Sequence, residues 1–237
     1  MDDTHNNRRS GSRHDSLMIG RGVTAVWMIV LLFLGIAGCS LFVMTGKAIF
    51  GDPKVTSLFR KQTRVDLTKA KKKVVVICSF PEAARAEYSG VAADIVLGVT
   101  LRLKREGIPV VRSSKVADFL DENNGVFDDM DELAEAFDAD YIIHIDLTEF
   151  THRADNSPGM YQGRTIGNVS AYRIVKQNGV KEARDIFSQE FKSVYPPHNP
   201  ISVSRKSERT FLSDYIRRIS TELAQLFYDH HFSETIH

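Results

Sequence analysis

The chain has 237 residues, with 31 Lys and Arg against 30 Asp and Glu, 43% hydrophobic residues and two cysteines. That near-neutral balance excludes the broad positive field of a nucleic-acid binder. Ordinary apolar content argues against disorder, and two cysteines are too few for a disulfide framework or a cysteine zinc site.

Residues 1–21 are polar and carry Arg8, Arg9, Arg13 and Arg21, and an uncharged run follows from Gly22 to Gly46. Inside it, Ile36-Ala37-Gly38-Cys39 resembles the bacterial lipobox, whose small residues let a peptidase grip extended backbone beside a cysteine that is then acylated. On that reading residues 1–38 are a lipoprotein signal peptide and Cys39 is the lipidated new N-terminus. The rival reading is a retained span to about residue 46, since roughly 20 apolar residues cross a bilayer core and Leu41, Phe42, Val43 and Met44 continue the run. Both place the chain at a membrane and take residues 1–38 out of the fold. Residues 39–72 then read as a lipid-anchored basic tether, ending in Lys69-Ala70-Lys71-Lys72-Lys73.

Residues 73–232 read as a single α/β domain, followed by a tail at 233–237. Val74 to Phe80 is a short β-branched run of the kind buried on both faces. Tyr88, Val91, Ala92, Ile95, Val96, Val99 and Leu103 share one helical face, which Gly107 ends. Ile108-Pro109-Val110-Val111 reads as a second strand, giving a parallel crossover. Ser114 is placed to cap a short helix, and Asp129 with Glu132 opens another. Tyr141 to Phe150 is a long strand, Thr151 to Met160 a polar loop, and Tyr161 to about Val175 a further strand. Asn178-Gly179 is a strong hairpin signal, with the return strand alternating through Phe187, Phe191 and Tyr195. A loop from Tyr195 to Ser204 precedes a last helix over about 208–229. The sum is a three-layer αβα sandwich on a five-stranded mixed sheet, part parallel and part antiparallel meander.

The lipobox, "VVVICSF", "GIPVVRSSKV", "LAEAFDADYIIHIDLTEF" and the "Y…VSAYRIV…NG…ARDIF" hairpin together carry a resemblance. Over about residues 73–230 the chain is similar to a group of envelope proteins. These are the curli-secretion lipoproteins, the penicillin-binding-protein activator lipoproteins and the amino-terminal domain of the Tol–Pal translocation protein. The resemblance implies a non-enzymatic protein-binding or assembly module of the bacterial cell envelope. It would be lipid-anchored and facing the periplasm, with the outer membrane favoured over the inner because Ser40, not aspartate, follows Cys39. It implies envelope protein partners, leaves room for a homo-oligomer and gives no cofactor. No insertion here is long enough for pore hairpins.

Two sets of residues are candidates for contact. His152, Arg153, Tyr161, Tyr195 and His198 lie on or beside the two loops, where recognition commonly sits on a rigid sheet. His144 and Asp146 alternate with Ile143, Ile145 and Leu147, so they share one strand face. They could bind a small ligand or a metal ion, although nothing in the spacing nominates a third group. Cys78 in an apolar strand reads as inert. Gly163 and Gly167 on one strand face suggest a bulge or close packing. No nucleophile elbow, phosphate loop or paired-histidine helix occurs, so no catalytic or metal residue is nominated.

Overall fold

The computed structural model describes residues 54–123 and 129–231. Cys39, the alternative span and the 233–237 tail lie outside them. Among the described residues no helix is long and apolar enough to cross a membrane.

The sheet is mixed and five-stranded, with helices on both faces, as the sequence pattern predicts. Its strands are β2 (Val74–Ser79), β3 (Tyr141–Ala154), β4 (Ser157–Gln177) and β5 (Val180–Tyr195), with β6 (Ile201–Ser202) pairing with β4. β2 and β3 are parallel, from Val74 opposite Tyr141 to Ser79 opposite Asp146. The remaining pairings are antiparallel. The β4–β5 turn is Asn178-Gly179, with φ of 51° and 90°. Those left-handed values are what a tight hairpin requires and what Asn and Gly tolerate.

Alternation along these strands makes two cores. On one face Val74, Val76, Ile143, Ile145, Val169 and Phe187 lie beneath α4 (Val91–Arg105) and α7 (Glu208–Gln225). The apolar face predicted for α4 is the buried one: Ile95, Val99 and Leu103 are fully covered. Gly107, at φ 78°, closes α4, with the Ile108 amide donating back to the Leu103 carbonyl. α4 and α7 approach closely because residue 98 is glycine. A Cβ there would stand 2.8 Å from that of Ser220, and Arg102 reaches across to the Thr221 hydroxyl at 2.8 Å. On the other face Val75, Ile77, Ile142 and Ala183 pack under α5 (Ser113–Glu122) and α6 (Met130–Ala136). Asp129 caps α6 by accepting from the Asp131 and Glu132 amides, whereas Ser114 lies inside the first turn of α5 and Arg112 stands at its cap position.

Three expectations need correction. Ile108 to Val111 is not a full strand: Val110 makes one isolated parallel bridge to Val74. Pro109 can accept there, from the Val74 amide, but has no N–H with which to extend a ladder. The fifth strand is β6 instead. The supposed loop from Thr151 to Met160 is a hairpin, because β3 runs on to Ala154 and β4 begins at Ser157, with Asn156 at φ 56° in the turn.

The third correction concerns the tether, which is folded from Lys54 onward. β1 (Lys54–Val55) pairs with β7 (His230–His231). α1 (Leu58–Thr63) and α2 (Leu67–Ala70) place Phe59 and Leu67 in the core. Phe59 meets Tyr141, Phe187 and Phe227 edge-on or tilted, at 5.5 to 6.2 Å between ring centroids. Arg60 ties the segment down through Asp229 and Asp66.

Candidate functional site

α5 and α6 cover only part of their sheet face. Beyond them that face carries two straight rows. One is His144, Ser170 and Ser188, in register with the covered Ile77; the next is Ser79, Asp146, Asn168 and Glu190. A register shift between Leu147 and Glu149 follows, then Glu149, Ile166 and Lys192. Asp146, Thr148, Ser188, Glu190 and Lys192 are exposed.

The open face is polar but largely satisfied. Ser79 Oγ and His144 Nε2 are 2.8 Å apart, so the parallel β2–β3 register supplies the third group that strand spacing alone could not nominate. Burial pushes His144 below the ordinary histidine range, against the pull of Asp146. The Asn168 amide donates to the Ser170 and Ser188 hydroxyls at 3.0 Å, and Thr148 donates to the Ile166 carbonyl. At the tip, Arg164 clamps Glu149 and Asp155, which raises its own pKa and lowers that of Asp155. Among the described residues no cluster of His, Cys, Asp and Glu could hold a metal ion. Such a surface can offer hydrogen bonds and charge of both signs to an incoming surface.

The residues expected on recognition loops divide. Tyr161 and His152 are core residues, 4% and 1% exposed, and are not available to a partner. β4 alternation turns Tyr161 inward, where it stacks on Phe211 at 5.0 Å. His152 Nδ1 lies 2.8 Å from the Tyr88 hydroxyl, and Nε2 lies 3.2 Å from Glu208. Burial lowers the His152 pKa in spite of Glu208. Tyr195 is half-buried beneath Arg218, whereas Arg153 and His198 remain at the surface. Arg153 is held by Glu208 at 2.9 Å.

The glycines behave as expected. A Cβ on Gly163 would enter the Tyr215 ring, and one on Gly167 would come within 2.9 Å of the Leu147 Cα, at the β3 irregularity. Cys78 is half-buried, and desolvation pushes its thiol up to about 12.

No family model matches the chain, and no curated protein matches it. Solved structures to which its fold is similar include three bacterial proteins. Lipoprotein GNA1162 from Neisseria meningitidis shares 14% identity over 65% of this chain and 98% of that one, at a TM-score of 0.35. The PelC dodecamer from Paraburkholderia phytofirmans shares 14% over 74% and 96%, also at 0.35. The hypothetical protein CT253 from Chlamydia trachomatis shares 12% over 66% and 92%, at 0.37. Likeness at that level describes and decides nothing about function.

Proposed function

We propose that the chain is a membrane-anchored, non-enzymatic module of the bacterial envelope that acts by protein–protein contact through its open sheet face. Its attachment would be the acylated Cys39 or the uncharged run around it, with the domain facing the periplasm and the outer membrane preferred. What carries this reading is the polar part of the sheet beyond α5 and α6, exposed among the described residues. A flat, rigid strand surface is preorganised for recognition at little ordering cost, and its side chains already hold one another in place.

The test replaces Ser188 or Glu190, separately, by a photo-crosslinking phenylalanine in the full chain in a bacterial host, with Leu101 on α4 as the comparison site. Discrete adducts from positions 188 and 190, absent from position 101 and carrying peptides of one other envelope protein, are expected. Adducts carrying only this chain's peptides would make the face a self-association surface. Equal or no adducts from all three positions would remove the placement.

A second reading, binding of a small ligand, draws on the Ser79–His144 contact with Asp146 alongside. It requires a ligand-dependent rise in melting temperature that His144→Ala abolishes.

A further inference from the structure

Between Lys54 and Lys73 the chain carries eight bases and a single acid, Asp66, although the whole protein is close to neutral. The fold fixes these bases at one end of the domain. The segment enters at β1 and packs through Phe59 on Tyr141, the first residue of β3, before feeding β2 at Val74. The C-terminal end of α4 reaches the same end, because Pro109 and Val111 bond to Val74, and it adds the exposed Lys104 and Arg105. Internal acids neutralise half of these bases: Arg60 pairs with Asp66 and Asp229, Lys69 with Asp66, Lys72 with Asp140 and Lys73 with Asp138. Lys54, Lys61, Arg64 and Lys71 are exposed and make no ion pair to a described residue. Leu58, 37% exposed, lies among them on α1.

On the attachment proposed above, the chain enters the folded domain at this end. Only residues 47–53 separate Gly46, where the uncharged run ends, from Lys54. Even fully extended they span about 25 Å, and the stretch from Cys39 about 50 Å. We infer that this basic end docks on anionic lipid headgroups, so that the domain rests against its own membrane in a fixed orientation. The inference rests on the membrane attachment proposed above. Exposed bases held on a folded surface with no ion pair to a described residue are what an anionic bilayer complements. The attraction acts within a Debye length of about 8 Å at physiological salt.

The test uses the full chain reconstituted into neutral phosphatidylcholine vesicles, and into vesicles with roughly one third phosphatidylglycerol, a mixture rich enough in anionic headgroups for basic residues to sense. Lysines are methylated reductively with formaldehyde and quantified by peptide mass. Lys192, exposed on the open face, is the internal reference. Anionic lipid is expected to lower labelling of Lys61 and Lys71 relative to Lys192 by at least about threefold, with recovery in high salt. In a K61E/R64E variant Lys71 should label equally in both vesicles. Unchanged ratios between the two lipids, or equal protection of Lys192, would overturn the docking. Failure of the chain to associate with either vesicle would remove the membrane attachment and the docking with it.

Discussion

Among the described residues, two histidines have their pKa lowered by burial. His144 is half-buried against Ser79, and His152 is enclosed by Tyr88, Tyr161 and Glu208. Desolvation is the largest influence on each and lowers both pKa values, while Asp146 and Glu208 pull the other way. In the unfolded chain both titrate near 6.5. Between the folded values and 6.5 the unfolded state therefore holds more protons, so stability rises with pH through that window. It is fully present above about 6.5 and is lost as pH falls. The urea midpoint is thus expected to be lower at pH 5.5 than at pH 7.5, with the difference reduced in His152→Gln. A midpoint equal or higher at pH 5.5 would show that Glu208 and Asp146 hold the imidazoles charged.

At the scale of elements, α1 decides whether residues 54–72 belong to the fold. Phe59 is fully buried, while its neighbour Leu58 is 37% exposed. Phe59→Ala removes a ring that meets three others and should cost about 3–5 kcal/mol. Leu58→Ala should stay within about 0.5 kcal/mol. Equal, small effects in chemical denaturation would return the segment to the status of a linker. The sequence hid it for a physical reason: α1 and α2 have six and four residues, too few turns for a periodic apolar face. Phe59 and Leu67 were outnumbered by bases. α4, with four turns, displayed its face plainly, as did the Asn178-Gly179 turn. The open face was half legible: alternation paired His144 with Asp146, but Ser79 joins them only through the β2–β3 register. Tyr161 was misplaced because Pro158-Gly159 reads as loop, whereas here both residues lie within β4, and alternation turns Tyr161 onto Phe211.

At the scale of the molecule, the basic end and the open face lie along one axis. Tyr141 is at the basic end, and β3 runs from there past His144 to Thr151, opposite Arg164. At about 3.3 Å per residue, the far row of the face, at Glu149, stands roughly 25 Å from the docked end. A domain resting on lipid by its bases would hold the face clear of the bilayer and its strands upright. This orientation would depend on charge more than on the short connection. Twenty Gly/Ser residues inserted after Gly51 lengthen the connection from Gly46 to Lys54 nearly fourfold and reduce effective concentration at the surface by about eightfold. Four unpaired bases, each worth about fivefold in partitioning, outweigh that loss by well over an order of magnitude. The insertion is therefore expected to leave the lysine protection in anionic vesicles within about twofold of the parent, whereas K61E/R64E removes it. Protection lost on insertion alone would mean that the connection, not the charge, keeps this end at the membrane, and the strands would then have no fixed direction.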